Sequence, residues 1–409
     1  MTKSALNGFH CISCGEFSPV EPFHYTCEKC GSNLDAAYDY NQINNNWSRK
    51  QLLKDNERSI WRYLPLLPVN HSPHNTSIQV GGTPLVNQSE ISHEIGIQNL
   101  WLKDDTRNPS GSLKDRATEV GIQHAKELGF KTIVAASTGN AAASLACLSA
   151  VHRMDAVIFT PSSAPPAKLV QILQYGAKLF PVDGTYDDAF ELSMEVVSDT
   201  GWYSRSTGIN PILSEGKKTV ALEIAEQLNW DVPDNIFVPV GDGCIIGGVY
   251  KGFYDLLQLG WIDHIPKIIA IQAEGSSAIV DALESGTITS VKANTIADSI
   301  SVDLPRDGQK AIRAVKESQG FGLKVSDAEI LEAQNRLAKT TGLFAEPAAA
   351  AAFSGLIKAV NENKISSDET AVVLITGTGL KDIKSAQKMI KVPTPILPDL
   401  DSFKERFHD

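Results

Sequence analysis

The sequence predicts an α/β protein of open, parallel-stranded sheets behind a small cysteine-rich ribbon. Three observations predict it. From Leu100 onward, short apolar runs alternate with helical segments of roughly 10 to 15 residues, the pattern of right-handed βαβ units. Gly-rich or Ser-rich turns interrupt that pattern at strand-to-helix corners, where open α/β sheets bind ligands. Four of the six cysteines lie close to the start of the chain as two CxxC pairs.

The bulk properties narrow the function classes. A chain of 409 residues holds two or three domains, each with its own core. The net charge of −11 argues against a general nucleic-acid binder but leaves room for a local basic pocket. No apolar run approaches the roughly 18 residues of a membrane helix. Residues Met1 to His10 lack a charged-then-apolar signal pattern. The expected location is the cytoplasm, without membrane or nucleic-acid partners. Cys147 and Cys244 stand alone, so no disulfide framework is expected.

In chain order, residues 1–40 read as a ribbon. Cys11, Cys14, Cys27 and Cys30, with Gly15 and Gly31 after the knuckles, can present four thiolates to one structural Zn²⁺. The segment is too short to bury a core alone, so metal would stabilise it. A metal-free ribbon or a redox pair is the alternative. Residues 41–80 read as an arm, with a helix over Ser48 to Asp55.

Leu100 to Lys103 is a buried strand that enters the turn Asn108-Pro109-Ser110-Gly111-Ser112-Leu113-Lys114-Asp115-Arg116. Pro109 and Gly111 favour the turn, and Ser110 or Ser112 can cap a helix. Lys114 then lies at a helix start, where unpaired amides and the helix dipole disfavour a further positive charge. An amine held there tends to be neutral and can form an imine with an aldehyde. A helix follows to Leu128 and stops at Gly129.

Strand Thr132 to Ala136 leads into Ser137-Thr138-Gly139-Asn140 and an alanine-rich helix. Strand Ala156 to Phe159, helix Ala167 to Tyr175, strand Lys178 to Val182 and helix Tyr186 to Ser198 continue the alternation. After Trp202 and Tyr203 comes Asn210-Pro211 and a further helix. Strand Ile236 to Val240 runs into Gly241-Asp242-Gly243-Cys244-Ile245 and a helix to Leu259. Glycines there let backbone amides and a helix start face an anion such as phosphate. Ile268 to Gln272 is a strand, followed by Ala273-Glu274-Gly275. Ser299 to Asp307 is a loop without an assigned duty. Ser326-Asp327-x-Glu329 has the form of a capping box. Strand Ala371 to Ile375 ends at Thr376-Gly377-Thr378.

Taken together, the lysine turn, the Ser-Thr-Gly-Asn corner, the glycine loop and the final threonine resemble the threonine synthase branch of the pyridoxal phosphate (PLP) enzymes. That branch has the tryptophan synthase β-like fold. The resemblance runs from about Gly82 to about Asp382 and includes the entry Gly81-Gly82-Thr83-Pro84-Leu85 and Phe344-Ala345-Glu346-Pro347. It implies two open-sheet domains with PLP between them: residues 81–210 for the smaller, with the lysine, and 211–395 for the larger, with the phosphate loop. It implies Lys114 as the imine lysine and catalytic base, and Asn140 on the ring hydroxyl. Gly241, Asp242, Gly243, Cys244 and Ile245 would surround the cofactor phosphate, and Thr376 would bond the ring nitrogen, with Thr378 as second choice. Ser137, Thr138 and Gly139 would contact the substrate carboxylate, and Ala273-Glu274-Gly275 would face the ring. Lys381 falls in a solvent-like turn and ranks below Lys114.

The implied activity is conversion of O-phosphohomoserine and water to threonine and phosphate, with a homodimer as the expected assembly. A PLP-dependent β-elimination or β-replacement enzyme is the alternative, such as a threonine or serine dehydratase or a phosphoserine-using synthase. One departure bears on that choice. The family pattern places an Arg for the substrate phosphate two residues after Asn-Pro, where this chain has Leu213. Arg205, Lys217 and Lys218 are the other cations available nearby.

Overall fold

The computed structural model describes residues 4–21, 23–73, 77–164 and 166–408. Among these residues the strands are β1 (Leu6–Cys11), β2 (Phe17–Pro19), β3 (Leu34–Tyr38), β4 (Leu85–Asn87), β5 (Asn99–Asp104), β6 (Thr132–Ala136), β7 (Asp155–Pro161), β8 (Lys178–Val182), β9 (Tyr203–Ser204), β10 (Asn235–Pro239), β11 (Lys267–Ala273), β12 (Gly322–Val325) and β13 (Thr370–Ile375). They form an antiparallel ribbon in the order β2-β1-β3, a larger sheet β12-β11-β10-β13-β5-β4 and a smaller sheet β8-β7-β6-β9. The smaller sheet is parallel throughout, and the larger one is parallel except where β4 runs against β5. Helices cover both faces of the larger sheet, which is why β10, β11 and β13 read as near-continuous apolar runs.

The predicted strands and helices are present with ends displaced by a residue or two, as fraying and capping dictate. The arm is more broken than expected. Its helix runs only over Arg49–Leu52, capped by Ser48, after a separate helix over Tyr40–Asn46. A second difference concerns β4 and β5. The segment 81–210 was expected to belong with the smaller sheet, yet both strands pair in the larger one, β5 lying parallel to β13 from Asn99 to Asp104. The lysine turn therefore starts on the larger sheet, and the helix that follows carries the chain towards the smaller one.

Three helices pack side by side behind the site: Lys114–Glu127, Pro211–Gln227 and Cys244–Gln258. Their close approach needs residues without side chains. A Cβ on Gly216 would lie 2.2 Å from the Arg116 carbonyl, and one on Gly248 would lie 2.9 Å from Lys217 Cβ. Between the helices and β5 lies a water-excluded ionic cluster. Arg116 donates to Asp105 (2.7 Å) and Glu223 (2.6 Å), and Lys103 Nζ donates to Glu223 Oε2 (2.7 Å) and the Thr83 carbonyl (2.8 Å). Two cations meet two carboxylates, so no charge is left uncompensated. Removing one partner of such a buried pair typically costs about 3 to 5 kcal/mol.

Candidate active site

The carboxyl ends of the two sheets face each other across a cleft of about 950 Å³. Lys114, Ser137, Thr138, Gly139, Asn140, Gly241, Asp242, Gly243, Cys244 and Ile245 all line it. These residues are spread over more than 130 positions of sequence, and it is the parallel topology that collects them.

Lys114 is the first residue of its helix. Asp115 holds the preceding turn rigid: one carboxylate oxygen accepts from Ser110 N (2.6 Å) and the other from Ser110 Oγ (2.6 Å). Asn108 Oδ1 accepts from Gly81 N (2.9 Å). The turn is pinned to the end of β13, because Leu113 N donates to the Thr376 carbonyl (2.9 Å) and Ser112 bridges Gly377. Thus Lys114 and Thr376 are placed beside one another by backbone bonds, and both line a small recess with Asn140 and Glu346. Burial is the largest cause lowering the Lys114 pKa, and the nearby Arg205 cation adds to it.

Asn140 opens the helix Asn140–His152, with Gly139 as its cap. Its amide donates to both oxygens of Glu346 (2.9 Å each) and to Ser299 Oγ (3.3 Å). Glu346 and Ser299 were not singled out from sequence. Glu346 caps the alanine-rich helix Pro347–Asn361 and lies over Gly377, where a Cβ would meet its carboxylate at 2.5 Å. The family-like Glu346-Pro347 string was the available signal. Ser299 sits in a loop whose composition signals only a loop.

At the glycine loop, Gly243 has φ +97°, and a Cβ there would lie 2.6 Å from the Asp307 carbonyl. Asp242 turns towards the neighbouring loop: its Oδ1 accepts from Arg306 N (3.2 Å), and its carbonyl accepts from Asp307 N (3.0 Å). So the loop Ser299 to Asp307 does have a duty, which is to brace the glycine turn and wall the cleft. Cys244 begins the helix Cys244–Gln258, donates to the Thr207 carbonyl (3.4 Å) and is pushed up to about 12 by burial.

Some expectations change. Ala273-Glu274-Gly275 forms a short turn after β11 whose Gly275 meets Asn294, and it does not line the cleft. Thr378 caps the next turn by accepting from Leu380 N (3.4 Å), whereas Thr376 lines the recess beside Lys114. Lys381 is not solvated: its Nζ is buried without a hydrogen-bond partner among the described residues. Leu213 is fully buried, packed where a Cβ on Gly121 would touch it, and does not line the cleft.

At the N-terminus the sulfur atoms of Cys11, Cys14, Cys27 and Cys30 all lie within 4.8 Å of one another. Three of the separations are 3.4, 3.5 and 3.7 Å. Four sulfurs around a zinc at about 2.3 Å would lie roughly 3.8 Å apart, so the donor set fits a tetrahedral ion. The fit of the cleft to PLP rests on independent features. A lysine sits at the head, a glycine turn and helix start lie at one end, and a hydroxyl and an amide stand beside the lysine.

Comparison with known proteins agrees with this geometry. Residues 76–377 match the family described as pyridoxal-phosphate dependent enzyme. The chain is 40% identical to a threonine synthase of Methanocaldococcus jannaschii, over 96% of this chain and 98% of that one. It is also 40% identical to a threonine synthase of Methanosarcina acetivorans, over 97% of each chain. This chain belongs to the threonine synthase family of PLP-dependent enzymes. Among solved structures, the processed form of threonine deaminase isoform 2 from Solanum lycopersicum superposes with a TM-score of 0.68 at 21% identity, over 84% of this chain and 93% of that one. That likeness concerns the fold. No described helix is long and apolar enough to cross a membrane.

Proposed function

We propose that the chain is a PLP-dependent threonine synthase that converts O-phosphohomoserine and water to threonine and phosphate. The observation that carries the reading is the convergence of Lys114, Asn140 and the Gly241–Ile245 turn on one cleft, with Thr376 in the adjoining recess that shares Lys114 and Asn140, in a chain 40% identical to threonine synthases over nearly its whole length. When bound, PLP supplies an electron sink that stabilises negative charge at the substrate carbon next to the amino group. The amides of the glycine turn and the start of helix Cys244–Gln258 would hold its phosphate. Thr376 would face the ring nitrogen with a hydroxyl, which does not hold that nitrogen protonated. Asn140 would meet the ring hydroxyl.

The remaining work falls to the protein. Lys114 takes a proton from the substrate carbon and returns protons further along the chain as phosphate departs and water adds. Burial lowers its pKa, the direction that favours the neutral amine a base needs. Ser137, Thr138 and Gly139, at the start of helix Asn140–His152, would orient the carboxylate. Cys11, Cys14, Cys27 and Cys30 would hold a structural Zn²⁺, since the four thiols leave no ligand position open. We read the enzyme as cytoplasmic and as a homodimer. The exposed apolar side chains Leu400, Phe403 and Phe407 near the C-terminus support a partner of the same kind.

The deciding assay offers O-phosphohomoserine, threonine, serine and phosphoserine in parallel and follows phosphate, threonine and keto acid. Threonine and phosphate released together from O-phosphohomoserine are expected. Keto acid from threonine or serine, with no turnover of O-phosphohomoserine, would overturn the assignment in favour of β-elimination.

A further inference from the structure

Two basic side chains beneath the cleft make no ion pair with a carboxylate among the described residues. Lys217 is fully buried, and its Nζ has no hydrogen-bond partner among the described residues. Arg205 is also buried and, among the described residues, donates only to neutral oxygens: Thr118 Oγ1 (3.0 Å), Thr207 Oγ1 (2.8 Å) and the Lys114 carbonyl (3.4 Å). An unpaired buried charge is costly, so each would be favoured by an arriving anion. The neighbouring Lys218 differs. It is neutralised by Glu215 and by Asp255 at 2.6 Å, and so is not available.

The placement of Lys217 gives the anion an address. Its Cβ lies against Gly248 on the helix Cys244–Gln258. Long side chains on a helix run back towards that helix's N-terminus. The N-terminal end of Pro211–Gln227 follows directly on Arg205, Thr207 and Gly208, which line the cleft. The groups that act most strongly on the Lys217 charge are Cys244, Lys114, Arg205 and Asp307. Lys217 therefore lies in the wall behind the first turn of the glycine-turn helix, close to Cys244 and Arg205 but not itself lining the cleft.

We propose that Lys217 and Arg205 form a two-cation seat for a phosphate monoester dianion at the first turn of the helix Cys244–Gln258. The inference rests on the function proposed above, under which two such phosphates enter the cleft, the cofactor's and the substrate's. It explains how a chain with Leu213 packed into its core still grips phosphate. Burial, with Lys114 and Arg205 adding to it, draws Lys217 down to about 7, so the empty seat holds a largely neutral amine above that pH. It takes up a proton from solution when a dianion binds. Cys244 and Asp307 oppose that shift, and Asp307 is itself raised to about 6 by burial.

The test uses the full chain and the variant Lys217→Met, which keeps the apolar stem. Binding of PLP and of pyridoxal to the apoprotein is followed by absorbance. Binding of inorganic phosphate to the PLP-loaded protein is followed by calorimetry at pH 8 in two buffers of different ionisation enthalpy. Loss of one charge-assisted contact should weaken one phosphate about ten- to a hundredfold. PLP weakened with pyridoxal unchanged assigns the seat to the cofactor. PLP unchanged with inorganic phosphate weakened assigns it to the substrate. The variant apoprotein should melt no lower than wild type, since an unpaired buried amine has been removed. A folded variant that binds both phosphates as wild type does overturns the proposal. If Lys217→Met does not fold, the same calorimetry on wild type with PLP, pyridoxal and inorganic phosphate decides, because no proton taken up with inorganic phosphate, and none with PLP beyond that taken up with pyridoxal, also overturns it. Inorganic phosphate needs no turnover, so failure of the O-phosphohomoserine assay leaves this test intact.

Discussion

Two half-buried lysines compete for the cofactor at the scale of single residues. Lys114 and Lys381 both have lowered pKa values, in each case chiefly through burial. Lys381 Nζ has no hydrogen-bond partner among the described residues, so pKa alone does not separate the two. Position separates them. Lys114 lines both the cleft and the recess that holds Thr376 and Asn140, whereas Lys381 lies along Gly111, outside both linings. Borohydride treatment of the PLP-loaded protein should fix the cofactor on the peptide containing Lys114. Lys114→Ala should lose turnover by a factor of about 10² or more, the usual contribution of a positioned base, and still bind PLP noncovalently. A label on Lys381 would refute the assignment. The sequence ranked these lysines in the same order for a reason that does not survive. It took the Lys381 turn as solvent-like, and the burial comes from the lysine turn packing over it, a long-range contact that local composition does not record.

At the scale of elements, the ribbon is more than an appendage. Asn33 Nδ2 donates to the Gly208 carbonyl (2.7 Å) and to Asp307 Oδ1 (2.9 Å). Ser204 N donates to Tyr25 Oη (2.9 Å), and Asp35 is paired with Lys310 at 3.4 Å and with Arg313. Asp307 in turn bonds the glycine turn through Asp242. If the ribbon holds the proposed Zn²⁺, stripping it with a chelator, or replacing Cys14 by Ser, should therefore weaken PLP binding as well as loosen the N-terminus. Loss of one or two such bonds is worth about 1 kcal/mol each, so a decrease of roughly five- to thirtyfold in PLP affinity is expected. Fluorescence titration with PLP measures it, and an unchanged affinity in the metal-free protein would show that the ribbon does not brace the turn. Local signals made most elements legible. Ser326 and Glu329 do form the capping box, and Gly129 does follow the helix from Lys114 with φ +83°. Sheet membership was not legible in the same way. β4 and β5 carry no local mark that assigns them to the larger sheet, because partners such as β13 lie more than 260 residues away. Glu346 and Ser299 were missed as site residues for the same reason, since their tie to Asn140 is purely tertiary.

For the whole molecule, buried ionisable groups make stability a function of pH, and the sign can be worked out group by group. Glu223 is held below the usual carboxylate range by Arg116 and Lys103, and Asp35 by Lys310 and Arg313. Asp255 is held down by Lys218 and Lys251. A carboxylate whose folded pKa is depressed contributes stability that is present above its unfolded value and lost as pH falls through the folded one. These three therefore act below about pH 4. Two further groups act between pH 4 and 6.5, in opposite directions. Burial lowers His124 from 6.5 to about 4, so the unfolded chain binds that proton first and acid destabilises the fold across the interval. Burial raises Asp307 from 3.8 to about 6, so the folded chain binds that proton first and acid favours the fold. The two shifts are of similar size and oppose each other, while burial also raises Asp115 and Glu346, which act on the same side as Asp307. The melting temperature of the apoprotein should thus not fall from pH 6.5 to about 4.5 and should fall steeply below pH 4. In His124→Gln the His124 contribution is absent and the raised carboxyls are left unopposed by it, so the melting temperature should rise more than that of wild type as pH drops from 6 towards 4.5. Scanning calorimetry of both proteins across pH 3 to 8 checks this. A variant that follows the wild-type curve throughout, or a wild type already losing stability at pH 6, would show that the compensation between His124 and Asp307 does not operate.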